Sequence, residues 1–466
     1  MNIFQESFRA IPGFKSLDSC LRDKITPVCV SGLAQIHKAQ LLIAACENKT
    51  TLVITDDDNS ARKLAEDINQ MTGEQTAHYY PSRESTMYTA EGISPEYEFQ
   101  RLGILANILD GNCRIVIAGA EAVMQIVPPQ DIITNRSFTI SENSETATSE
   151  LAMKLIMCGY SRTDKIEGVS QFSIRGSIVD IFSPHAPYPY RLEFWGDEVD
   201  SISYFDIETQ RRTDSLKEIK IVPAREVLFD SDELCEKIEK LTKSSRGKYA
   251  DVFKENSQSD IAKLKSGILI ENADKYINLI YPEKPSLFDY IDGNIYISEL
   301  SHIVNREKGI KAQYNEDIKL LLEEGMICRS LCDHYVDFHQ ILMNKKDRCC
   351  IYINSFFSGA DKIEYKQIIN IDAIQTSTWG GEMRQLAEDL KEYCDRDYTV
   401  ILMAGSEKTL PIIADDLKNS GFNVEIVTDK TIPEKKKIHL MCGSISAGFD
   451  YPEIKYALIT QTKTAV

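Results

Sequence analysis

From residue 26 to about 127, short apolar runs alternate with stretches whose apolar positions recur every three to four residues: TPVCV, IHKAQLLIAACE, TLVIT, NSARKLAEDINQM, TAHYY, SPEYEFQRLGILANIL and CRIVIAG. A helix brings i, i+3 and i+4 to one face, whereas a strand buried on both faces is apolar throughout. The alternation predicts strands interleaved with helices, and so a parallel sheet covered on both faces. After Pro128 and Pro129 the period changes to two. QFSIRGSIVDIF, PYRLEFWG, DEVDSISYFD and LKEIKIVP, broken by SPHAPY and the Gly196-Asp197 turn, predict an antiparallel sheet over residues 170–223.

Helical patterns return from about residue 225 to 345, as in DELCEKIEKLTK and EDIKLLLEEGMICRSLCDHYVDFHQIL, and enclose one strand, GNIYISEL. Helices with so little strand cannot build a layered sheet alone, so they are expected to complete the first domain, with the β-rich module inserted between its halves. CCIYIN, YTVILMAG, SEKTLPIIADDLKNSG, NVEIV, KIHLMCG and IKYALIT read as a further α/β unit, its helix N-capped by Ser406 and closed by Gly421. The expected organisation is 1–135 and 224–345 as halves of one α/β domain, 136–223 as the β-rich insert and 346–466 as a small α/β domain of unassigned role. The segment QTKTAV, directly after an apolar strand, is expected to mark a cut within a longer chain.

A chain of 466 residues is too long for one core, and 43% hydrophobic with 27% charged residues is an ordinary globular composition. No apolar run reaches the roughly 18 residues of a membrane span, and MNIFQESFRAIPGF lacks a signal-peptide pattern, so a cytoplasmic location is expected. The 12 cysteines stand singly in apolar segments, the pattern of reduced thiols. Cys328 and Cys332, at i and i+4 of an expected helix near His334 and His339, are not followed by a second pair with zinc-ligand spacing, so no metal is expected. A net charge of −18 opposes a chain that coats nucleic acid by neutralising phosphates, which leaves any DNA role local or indirect.

The stretch SGLAQIHKAQLLIA, residues 31–44, has the position of a phosphate-binding loop. Such a loop, GxxxxGK[ST], needs its second glycine for close backbone approach, its lysine for the β and γ phosphates and its hydroxyl for magnesium. Counted from Gly32, His37 stands in the place of the glycine, Lys38 keeps the lysine and Ala39 replaces the hydroxyl. The acidic pair of such sites would fall at the end of GNIYISEL, where Ser298 takes the place of the aspartate and Glu299 follows. Gly32, His37, Lys38, Ala39, Ser298 and Glu299 are therefore expected to form a vestigial nucleotide site without phosphoryl transfer. Taken alone, Lys38 reads as a solvated helix residue and Glu299 as a strand-end acid.

RGSIVDIFSPHAPYPYRLEFWGDEVDSISYFDIETQRR, residues 175–212, resembles a segment shared by the damage-recognition protein UvrB and the transcription-repair coupling factors of the Mfd family. LFDYIDGNIYISEL is similar to the UvrB strand that carries the acidic pair, and YPSRESTMYTAEGISPE, GGEMRQLAEDL, YTVILMAGSE and GFDYPEIKYALIT resemble Mfd. The YYPSRESTMYTAEGISPEYEF segment is shorter than the tyrosine-rich DNA-gripping hairpin of UvrB, and the phosphate loop is broken, so the N-terminal part of an Mfd is the better match.

The resemblance implies a P-loop-NTPase-like (RecA-like) parallel-sheet domain interrupted by an antiparallel β-rich domain and followed by a second small α/β domain. It implies a non-catalytic UvrB-like module of bacterial nucleotide excision repair, which recruits UvrA to stalled transcription complexes. RNA polymerase and DNA would be engaged through missing C-terminal domains, which this module would also contact. ATP and magnesium would belong only to the absent motor, leaving no cofactor here and no membrane partner. The family's UvrA-contacting positions fall on Arg175, Arg191 and Trp195, the last commonly Phe. Strand alternation independently puts Arg191, Glu193 and Trp195 on one face and Leu192 and Phe194 on the other, which predicts an exposed arginine and tryptophan pattern. The competing readings are an active UvrB-type ATP-dependent damage-recognition enzyme and a module that restrains a motor.

Overall fold

A computed structural model of the chain describes residues 3–46, 49–83, 94–268, 270, 272–344, 350–357, 359, 363–428, 430 and 434–461. The middle of the YYPSRESTMYTAEGISPEYEF segment, residues 84–93, lies outside them, as does most of QTKTAV.

Strands β1 (Val28–Ser31), β2 (Thr51–Thr55), β3 (Ala77–Tyr80) and β4 (Ile115–Gly119) alternate with helices Gln35–Ala45, Asp58–Thr72 and Glu96–Leu109. The chain then forms β5 (Phe138–Ser141), helix Thr148–Met157, and β6 (Ser161–Arg162), β7 (Gln171–Arg175), β8 (Ile178–Ile181), β9 (Tyr190–Trp195), β10 (Glu198–Phe205), β11 (Arg212–Leu216) and β12 (Glu218–Ile221). Strands β6 to β11 make one sheet in the order β11-β10-β9-β8-β7-β6, while β12 pairs with β5. Inside this insert, Leu151 and Leu155 of the helix share a core with Phe172, Val179, Leu192 and Phe194.

After the insert come β13 (Ile295–Ser298), β14 (Cys350–Ile353) and β15 (Gln367–Asn370), which complete the first sheet in the order β15-β1-β14-β13-β2-β4-β3 with parallel pairing throughout. Successive residues alternate between its two faces: Val53, Ile117 and Ile353 enter one core, Ile54, Val116 and Ile297 the other. The remaining strands, β16 (Ile374–Thr376), β17 (Thr399–Met403), β18 (Val424–Ile426), β19 (Ile438–Met441), β20 (Gly448–Tyr451) and β21 (Tyr456–Thr460), form a mixed sheet in the order β16-β20-β21-β17-β19-β18.

Three local expectations are corrected. CCIYIN, assigned from sequence to the last unit, is β14 and pairs with β1 and β13, and β15 follows it into the same sheet. The helix expected to run through Cys328 and Cys332 ends at Glu323, where Gly325 takes a left-handed φ of 63° that an L side chain resists. The two cysteines flank the short 3₁₀ turn Arg329–Leu331. Ser406 does not cap the last helix, which begins at Leu410, and its carbonyl accepts instead from Thr409 N at 2.9 Å.

Sheet and insert are joined by a buried ionic hub. Arg101, fully buried on helix Glu96–Leu109, donates to both oxygens of Glu226 at 2.5 and 3.2 Å and to Pro81 O and Gln125 Oε1 at 3.0 and 2.8 Å, and its guanidinium lies 4.4 Å from the Tyr80 ring centroid. Arg83 bridges Glu226 at 3.3 Å and Asp274 at 2.9 Å. Glu226 lies just past the exit of the insert, so the hub fixes the chain where it re-enters the first domain. The last sheet packs on the helices of the first: Phe449, Tyr451 and Leu458 share a core with Phe8 and Leu41, and Tyr451 OH donates to Gln40 Oε1 at 2.8 Å.

Candidate functional site

On the outer face of the six-stranded sheet, Arg191 pairs across with Asp180 on one side and Ser203 on the other. Antiparallel register puts directly opposed side chains within reach of each other. Arg191 Nε and Nη2 donate to the two Asp180 oxygens at 2.7 and 2.9 Å, a bidentate fork, and Arg175 Nη2 adds 2.6 Å from β7. Gln210, held at φ 59° in the β10–β11 turn, accepts Arg191 Nη1 on its carbonyl at 3.0 Å and Nη2 on its side chain at 3.1 Å. The Arg191 guanidinium carbon also lies 4.2 Å from the Phe205 ring centroid.

This geometry divides the three residues expected to form one exposed pattern. Trp195 is 82% exposed at the end of β9, and Arg175 is open to solvent. Arg191 is only 8% exposed, because Asp180 draws it down onto the sheet and the 206–211 turn covers it. Alternation sends Arg191 to the outer face correctly, but outer is not open where a buried carboxylate takes the fork. Asp180, 1% exposed, is the residue that sequence reasoning missed. The signal was present: Val179 and Ile181 point inward, so Asp180 must share the outer face with its neighbours Arg175 and Arg191.

The segment 31–39 lies at the C-terminal edge of the parallel sheet. Gly32 has φ 88°, and a Cβ there would stand 2.1 Å from Ile371 O, so only glycine fits beneath the chain leaving β15. Leu33 N donates to Asn354 O at 3.3 Å and Ala34 N to His37 Nδ1 at 3.1 Å. The His37 ring is wholly buried, tilted against Tyr451 with centroids 5.5 Å apart, and burial lowers its pKa to about 4. Ala39 is buried in the core.

Lys38 is likewise not solvated. It is 4% exposed and donates to Glu299 Oε1 at 2.5 Å and Ser298 Oγ at 3.0 Å. The same Glu299 oxygen accepts from Ser355 N at 2.7 Å and Ser355 Oγ at 2.6 Å. Burial pushes the Lys38 pKa down against the opposing pull of Glu299. Burial also pushes the Glu299 carboxyl up, but the charge and hydrogen bond of Lys38, with the two hydrogen bonds from Ser355, outweigh it and leave the pKa below its ordinary value. Glu299 itself stands in left-handed backbone at φ 57°, where it precedes the long helix Leu300–Glu323. The sequence brought Lys38, Ser298 and Glu299 into one candidate site, and the structure brings them into contact; Ser355 joins them from beyond β14. Among the described residues no group of His, Cys, Asp and Glu is arranged to hold a metal ion, and no helix is long and apolar enough to cross a membrane.

Residues 138–227 match the family described as the UvrB interaction domain. Over 473 residues the sequence is 26% identical to a transcription-repair-coupling factor of Bacillus subtilis, with 99% of this chain and 40% of the relative covered. It is 22% identical over 451 residues to one from Staphylococcus epidermidis and over 458 residues to one from Staphylococcus aureus, covering 93% of this chain and 38% of each relative. The chain thus resembles transcription-repair-coupling factors nearly end to end, and spans about 40% of the length of the curated relatives it matches.

Proposed function

We propose that the chain serves transcription-coupled DNA repair as a non-catalytic docking module, and that its inserted β-rich segment receives UvrA through Arg175, Trp195 and the supporting Arg191. Trp195 carries the reading: within the segment matching the UvrB interaction domain, a large aromatic at the end of β9 is left 82% exposed by the described residues. Aromatic and arginine side chains dominate binding hot spots because they supply large contact area, and Arg175 stands on the same sheet face with donors to spare. Asp180 and Arg191 hold that face in place. The first sheet is read as a former P-loop-type nucleotide-binding domain retained as a platform, which leaves ATP, magnesium, RNA polymerase and DNA to the remaining length of the relatives.

The experiment is calorimetry with purified UvrA. Trp195→Ala together with Arg175→Ala is expected to weaken binding by about 2 kcal/mol or more, roughly thirtyfold, with unchanged thermal unfolding. Wild-type affinity in that double variant would refute the site. Saturable heat with ATP and magnesium, accompanied by DNA-stimulated phosphate release, would favour the UvrB-type enzyme instead.

A further inference from the structure

A lysine as buried as Lys38 requires an anion, because an uncompensated ammonium out of water costs several kcal/mol by general estimate. The donors gathered around that anion are a lysine ammonium, the backbone N–H of Ser355 and its hydroxyl, all within 2.5–2.7 Å of one oxygen of Glu299. An ammonium, an amide and a hydroxyl at the C-terminal edge of a parallel sheet form the donor set that holds a phosphate oxygen. Here every member is satisfied from within the chain. The loop amides of Leu33 and Ala34 are also taken, by Asn354 and His37.

We propose that this is a functional oxyanion-binding site which the protein keeps filled with its own Glu299 carboxylate, and that this internal ligand excludes external phosphate. The inference rests on reading residues 31–39 as a former phosphate loop. Glu299 occupies a left-handed backbone position that favours glycine, and it accepts this conformation while its carboxylate joins the ends of β13, β14 and the helix Gln35–Ala45. Asp56 acts on Lys38 only through its charge. Removing the Glu299 carboxylate leaves Lys38 with Ser298 Oγ at 3.0 Å and the Ser355 hydroxyl with Leu33 O at 3.3 Å, but takes the shared anion from both and from Ser355 N, opening a cationic position matched to a small oxyanion.

The test compares the wild type, Glu299→Gly and the double variant Glu299→Gly with Lys38→Met, using inorganic phosphate and acetate as probes against chloride at constant ionic strength. Glycine is chosen because it adopts φ 57° without strain. Phosphate is expected to raise the Tm of Glu299→Gly with the logarithm of its concentration above Kd, by about 1–3 °C for each tenfold excess, while leaving the wild type and the double variant unmoved. Acetate should do the same at higher concentration. A phosphate response in the wild type, an equal response in the double variant, or none in Glu299→Gly would overturn the proposal. If Glu299→Gly is unfolded without added anion, refolding by phosphate or acetate supports it, and failure of both to refold it counts against it. UvrA binding is measured on the same proteins: its absence in the wild type would remove the docking function alone, whereas a failed phosphate response removes only the internal ligand.

Discussion

Arg191→Ala tests the internal logic of the β-rich face most directly. In the wild type, Asp180 is 1% exposed and receives both arms of the Arg191 fork at 2.7 and 2.9 Å. Truncation removes these bonds, the two contacts to Gln210 and the stacking on Phe205, and leaves the carboxylate with Arg175 alone. Breaking a buried ion pair by deleting one partner costs about 3–5 kcal/mol. A cation-aromatic contact adds about 0.5–2 kcal/mol. The surviving Arg175 and water entering the gap offset part of this, so we expect a loss of about 3 kcal/mol, or about a hundredfold in opening equilibrium. A chain of several units does not unfold in one step, so the assay is native-state hydrogen exchange read by mass spectrometry on the intact chain. Amides of β7 to β10 should exchange about a hundredfold faster, with β17 and β19 unchanged. Asp180→Val combined with Arg191→Leu should recover most of the protection, since apolar pairs replace buried ion pairs at little cost. Exchange within about threefold of wild type in Arg191→Ala, or a double variant no better than the single, would refute the reasoning.

Glu226→Ala takes the carboxylate from the fully buried Arg101 guanidinium, so native-state hydrogen exchange of the helix Glu96–Leu109 should speed up by an amount equivalent to about 3–5 kcal/mol; a change below about 1 kcal/mol would mean the hub is solvated. His37, with a folded pKa of about 4 against 6.5 ordinarily, favours the fold fully above pH 6.5 and loses that contribution as pH falls through 4, about 3 kcal/mol in all. Its imidazole resonances should accordingly titrate near pH 4, and a midpoint near 6.5 would contradict its burial. Asp67→Ala leaves Ser446 N and Oγ, now bonded at 2.9 and 2.6 Å, without this acceptor. Exchange at Ser446 should speed up by an amount equivalent to about 1–3 kcal/mol, and unchanged protection there would show that the contact does not hold the last sheet to the first.

The alternation of strand and helix was legible because each element carries its own period, and the insert was legible because its strands follow one another with tight turns. CCIYIN was legible as a strand but not as a member of the first sheet: a short apolar run reads the same in either sheet, with Ile351, Tyr352 and Ile353 buried here, and only its partners β1 and β13 decide between them. The same limit explains Arg191 and Lys38. Periodicity reports which face a side chain leaves from, whereas burial depends on what waits there: Asp180 eleven positions earlier in the chain, and Glu299 across the sheet. Nothing in the sequence marks Arg101 out from other helix cations, because its acceptor, Glu226, is 125 positions away on the far side of the insert.

The strand order β15-β1-β14-β13-β2-β4-β3 also sets a timetable for synthesis. Strands β1 and β2 are made early but stand apart until β13 and β14 fill the two places between them, so the host sheet cannot close before residue 353 has left the ribosome. The β-rich insert, by contrast, is contiguous from Phe138 to Ile221 and has its own core. Domains fold as units as they emerge. The guest is therefore complete before its host, and the nascent chain presents Trp195 on a finished sheet while the α/β framework that carries it is still waiting for its central strands.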